Sequence, residues 1–135
     1  MAKKNLIQKK THFNFQNFFS FNKHILKFGK FGFKIKFTLC VSKNKFLIFK
    51  LFLLKNLKLL NNNKIKIFIL QNFYFTKTKL PLESRMGKGK GEIVNLFGYY
   101  KKGFILFELT GISFFTALKL KKILNKKNIF QFYLV

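Results

Sequence analysis

Ile93-Val94-Asn95-Leu96-Phe97-Gly98-Tyr99-Tyr100, then Lys101-Lys102-Gly103, then Phe104-Ile105-Leu106-Phe107-Glu108-Leu109 is the stretch that decides the fold. Two runs rich in aromatic and β-branched residues flank a short turn with Gly at the position where a positive φ is needed, so the pattern predicts two strands joined as a hairpin. Gly111 then breaks the chain and Ser113 offers a hydroxyl N-cap, so Phe114 to Lys127 is read as a basic helix. Phe130, Phe132 and Leu134 alternate with Gln131, Tyr133 and Val135, which predicts a closing strand.

Upstream the same reading continues. From Phe28 to Phe37, Phe and Ile fall on one face and Lys or Gly on the other, a strand with one wet, cationic face carrying Lys30, Lys34 and Lys36. Ser42 stands where an N-cap would, and Lys43 to Leu60 runs without Gly or Pro to the Asn61, Asn62, Asn63 stop, which predicts a helix wet only on its Lys50 and Lys58 side. Lys64 to Leu70 reads as a strand, and Thr76 to Pro81 as a loop that leads into a Gly-Lys run. The sum is an α+β fold: an antiparallel sheet with two helices packed on one face, a basic N-terminal arm over 1–27, and a single domain over 28–135 from which loop 76–92 protrudes.

The charge points to a polyanion. Against three carboxylates stand 28 Lys plus Arg, a formal net charge of +25. Such a chain repels itself when alone, and each cation that meets a phosphate releases condensed counterions. Yet 49% of residues are hydrophobic and 22 are Phe, so the chain is no disordered basic tail. All but one of the cations are Lys, and Phe, Asn, Ile and Leu are abundant. That bias is what an extremely AT-rich genome produces; a mitochondrion is expected, with a reduced plastid as the alternative. The N-terminus, without Arg and with one Ser before residue 30, is a poor match to an Arg- and Ser-rich transit peptide.

Other classes find little support. Cys40 is the only cysteine and reads as a small apolar residue between Leu39 and Val41. His12 and His24 lack partners at ligand spacing, so no metal or cofactor is expected. Glu83, Glu92 and Glu108 are too few for a paired-carboxylate mechanism; Glu83 and Glu92 are expected to hold the neck of the loop and Glu108 to form an ion pair, and no enzyme is predicted. Lysines interrupt the longest apolar run, Phe46 to Leu60, short of the ~18 residues a membrane span needs, so no membrane insertion is expected. A basic protein lying on an anionic membrane surface, with that helix in the interface, is the rival reading.

Arg85, Met86, Gly87, Lys88, Gly89, Lys90 and Gly91 carry the most specific signal. Alternating glycines let backbone N–H groups approach phosphate closely, and the cations between them add charge. A nucleotide-hydrolysing loop would need Ser or Thr after its Lys, and here Gly89 follows Lys88.

This run, with Leu80, Pro81 and Leu82 before it, resembles the large-subunit ribosomal protein L-sixteen family of bacteria and organelles, related to L-ten-e of archaea and the eukaryotic cytosol. Gly103, then Ile105 to Leu109, then Gly111 and Ile112 are similar to the family's turn, strand and Gly-Val. Phe28 to Lys34 resembles its Phe-Gly-x-Phe-Gly-Leu-Lys, and Lys9, Lys10, Thr11, His12, Phe13 its basic N-terminal stretch. Departures fall at Ile35 to Phe37, at Asn95 and Leu96, and at Phe114 and Phe115. The resemblance implies a protein wedged among large-subunit rRNA helices beside neighbouring ribosomal proteins. Its loop would face the aminoacyl and peptidyl tRNA sites, and no homo-oligomer is implied. It assigns RNA binding to Lys9, Lys10, Lys30, Lys34, Lys36 and the loop residues Arg85, Met86, Gly87, Lys88, Gly89, Lys90 and Gly91.

Overall fold

A computed structural model describes residues 25–59, 65–71, 73, 75–83, 85, 87, 89 and 91–135. Among these residues, seven strands and two helices follow in the order β1 (Phe31–Ile35), β2 (Leu39–Ser42), α1 (Lys43–Leu59), β3 (Lys66–Ile69), β4 (Phe75–Lys79), β5 (Glu92–Tyr100), β6 (Ile105–Thr110), α2 (Phe114–Lys126) and β7 (Phe132–Leu134). The class is α+β as expected, with the strands divided between a four-stranded sheet, β3-β6-β1-β7, and a three-stranded sheet, β2-β5-β4. All pairings are antiparallel.

That division overturns the expected hairpin. Gly103 does adopt a positive φ of 82°, but the turn passes the chain from one sheet to the other. Gly103 N donates to Ile35 O, and Ile35 N donates to Phe104 O. The end of β1 therefore captures the residues leaving the turn, and β6 pairs with β1 and β3 while β5 pairs with β2 and β4. Thr76 to Lys79 also departs from expectation: it is strand, not loop, with Thr76 buried and Lys77 exposed. The strand predicted from Phe28 to Phe37 is confined to Phe31–Ile35.

Both helices lie on the face of the four-stranded sheet that carries Phe33 and Phe107. These rings stack across β1 and β6 with centroids 4.4 Å apart. Phe49 of α1 meets Phe107, Phe130 and Phe132, and Phe114 of α2 meets Phe31. Phe46 extends the same core to Tyr100 of β5, joining the two sheets. The caps are local: Lys45 N donates to Ser42 Oγ, and Thr116 N to Ser113 Oγ.

α1 is wet at Lys58, as expected, but less so at Lys50. It buries Phe46, Phe49, Leu53 and Leu57, while Lys50 is half-buried. Its outward side presents Leu47, Ile48, Leu51, Leu54 and Leu59 beside Lys55 and Lys58.

The opposite face of the four-stranded sheet is covered only in part. Gly32 and Glu108 are cross-strand neighbours there, and residues 25–29 run across them. A Cβ on Gly29 would lie 2.6 Å from Glu108 Cβ, and one on Gly32 would collide with Leu26. Phe28 stacks on Phe68 of β3.

Candidate nucleic-acid interface

The Gly-Lys run is the tip of a β-ribbon. β4 and β5 pair from Phe75 opposite Phe97 to Lys79 opposite Glu92, with an irregularity between Lys77 and Thr78. Residues 80–91 therefore connect two strands of one ribbon, a shorter loop than the expected 76–92. Its neck is set by Gly91, where a Cβ would stand 2.5 Å from the Lys79 carbonyl oxygen and 2.7 Å from its carbon. Any other residue would push the strands apart.

Further out, nothing among the described residues crowds the glycines. A Cβ on Gly89 would meet nothing within 4 Å, and one on Gly87 only Arg85 O at 3.9 Å. Arg85, Gly87 and Gly89 are exposed, as are Leu82 and Glu83. Met86, Lys88 and Lys90 lie outside the described residues, and so do Lys9 and Lys10 of the arm. Glu92 sits directly across the ribbon from Lys79.

The β1 lysines form a second group on the other sheet. Lys34 stands opposite Tyr133 of β7. Lys36 Nζ lies 5.3 Å from the centre of the Phe37 ring and 5.7 Å from that of Tyr133. Lys30 is exposed, while Lys34 and Lys36 are half-buried along their stems. Tyr133 and Phe37 were missed by sequence reasoning. The alternation that reads Tyr133 as the outward residue of its strand was the available signal.

Glu108 also departs from its expected role. It is 2% exposed, and among the described residues its carboxylate accepts from backbone N–H groups. Phe28 N and Gly29 N donate to Oε2 at 2.7 Å, and Lys27 N reaches both oxygens at 3.2 Å. A side chain of β6 thus holds the backbone of residues 27–29 just before β1.

Cys40 is exposed on β2, opposite Tyr99. Desolvation pushes its thiol up from the ordinary value, an effect its side-chain hydrogen bond with Tyr99 opposes. It therefore stays protonated at neutral pH. Among the described residues no three His, Cys, Asp or Glu side chains gather where a metal could sit, and no helix is long and apolar enough to cross a membrane.

The family model of ribosomal protein L16p/L10e matches residues 2–128. The chain belongs to the L16p/L10e family of ribosomal proteins. Large ribosomal subunit protein uL16m of Chondrus crispus is 41% identical over 128 residues, covering 93% of each chain. Large ribosomal subunit protein uL16 of Spiroplasma kunkelii is 33% identical over 92 residues, covering 68% of this chain and 64% of its own. The Thermus thermophilus protein of the same name is 40% identical over 50 residues. For an L16p/L10e protein, a cationic ribbon tip and a basic sheet face are surfaces suited to RNA backbone. Of the three carboxylates only Glu108 is buried, while Glu83 and Glu92 lie exposed at the two ends of the Gly-Lys run. The match spans the Gly-Lys tip, the Glu108 anchor and most of the core.

Proposed function

We propose that this chain is a structural constituent of the large ribosomal subunit of a mitochondrion, where it binds large-subunit rRNA and helps shape the region that receives aminoacyl and peptidyl tRNA. The observation that carries the finer part of this reading is the contrast among the loop glycines. Gly91 is required by the ribbon itself, whereas nothing among the described residues crowds Gly87 or Gly89. Glycines on an exposed, cationic tip with no internal need suit close approach of backbone N–H groups to phosphate. Arg85, the only arginine, adds a planar fork able to grip phosphate or a base edge in two places, which Lys does not reproduce. The rRNA supplies the chemistry of peptide transfer; the protein positions.

The outward side of α1, apolar with lysines at its margin, suits a neighbouring ribosomal protein better than RNA. The test of the tip is Arg85→Ala. Protein synthesis in the organelle should fall while large subunits still assemble, because the substituted side chain is exposed and leaves the core intact. Normal synthesis by that variant would remove the role assigned to the tip.

A further inference from the structure

We propose that Tyr133 and Phe37, with Lys34 and Lys36, form a platform on which an unpaired rRNA base stacks. The proposal rests on the ribosomal reading and names a contact that reading does not contain. Residues 25–29 cover the outer face of the four-stranded sheet over β6 and the start of β1, as the packing at Gly29 and Gly32 requires. Further along β1, Lys34 and its cross-strand neighbour Tyr133 share the face. Tyr133 is 48% exposed and Phe37 51%. Lys36 Nζ stands 5.3 Å and 5.7 Å from the two ring centres, so both rings border one volume that already draws a cation.

Exposed rings bordered by cations are what single-stranded RNA uses: a base lies on a ring face while an ammonium meets its phosphate. The platform is also held rigid, so little ordering is needed on binding. Val135 and Gly32 exchange backbone hydrogen bonds at 2.7 and 2.9 Å. Asn125 of α2 takes Phe132 N at 2.9 Å and donates to Phe132 O. Tyr133 sits between these ties. Neither β1 nor β7 carries an Asp or Glu side chain, whereas Lys34 and Lys36 lie beside the rings.

The test measures binding of the full chain to transcribed large-subunit rRNA across a salt series, with Phe37→Leu, Tyr133→Leu, Tyr133→Phe, Lys34→Gln and Lys36→Gln. Losing one stacked base predicts binding on the order of 5- to 150-fold weaker for Tyr133→Leu, with an unchanged salt slope. Phe37→Leu should act in the same way, and Tyr133→Phe should restore wild-type binding. Each lysine variant should flatten the slope by about one. Wild-type binding with Tyr133→Leu unchanged would overturn the platform and leave the ribosomal reading standing, as would ultraviolet cross-linking of Tyr133 to protein in purified subunits. Absence of rRNA binding by the wild-type chain would overturn both.

Discussion

Replacing Glu108 should loosen the segment that leads into β1, and the structure sets the size of the effect. Its buried carboxylate accepts two N–H groups at 2.7 Å and a third at 3.2 Å. A hydrogen bond to a charged group is worth about 1.5–3 kcal/mol net, and each orphaned donor adds a desolvation cost. Glu108→Gln keeps one acceptor oxygen but loses the charge and turns an amide N–H toward backbone N–H, a loss of about 2–3 kcal/mol. Glu108→Ala abandons all three donors and should cost about 3–5 kcal/mol, a large share of the roughly 5–15 kcal/mol that holds a domain folded. The chain contains no Trp, so urea unfolding is best followed by far-ultraviolet circular dichroism. With a slope of ~1–3 kcal/mol per molar urea, the alanine variant should move the midpoint by at least about 1 M. If only residues 25–30 detach, trypsin cleavage at Lys27 and Lys30 should accelerate first. A Glu108→Ala chain with an unchanged midpoint and unchanged cleavage would refute the anchoring role.

Gly91→Ala should destabilise the β4–β5 ribbon by about 1–3 kcal/mol through the clash with Lys79 O. Gly89→Ala should leave the same unfolding curve within about 0.5 kcal/mol and weaken rRNA binding instead; equal effects of both on unfolding would contradict the division between neck and tip. The raised Cys40 pKa means less thiolate in the folded than in the unfolded chain below that pKa. Iodoacetamide should therefore label Cys40 more slowly in the native chain near pH 8, and the gap should close as pH rises past the folded value. Tyr99→Phe removes a hydrogen bond that favours the thiolate and should slow labelling further; faster labelling would reverse the assigned cause.

Local chemistry made part of this fold readable from sequence. Ser113, Gly111 and the run from Phe114 fix α2 through neighbours a few residues apart, and Gly103 needs its positive φ whatever pairs around it. Pairing partners were not local. Whether β5 and β6 meet depends on Ile35, some seventy residues upstream, receiving Gly103 and Phe104. β4 was missed because Phe75 to Lys79 has one buried residue, Thr76, and lies close to Pro81, so its pattern resembles a loop. The apolar side of α1 was misread because its Leu and Ile residues look like core until the sheets show which side they cover. Within the interface, the Gly-Lys tip announced itself by composition. The roles of Tyr133 and Glu108 were hidden, since one depends on a cross-strand neighbour and the other on donors about eighty residues away.

Sedimentation of organelle lysate through a sucrose gradient at moderate salt separates the possibilities. The chain should travel with the large subunit and its rRNA and leave it as salt is raised, because a net charge of +25 binds through counterion release. Recovery of the chain at the top of the gradient at moderate salt, with intact large subunits lacking it, would contradict its place in the ribosome.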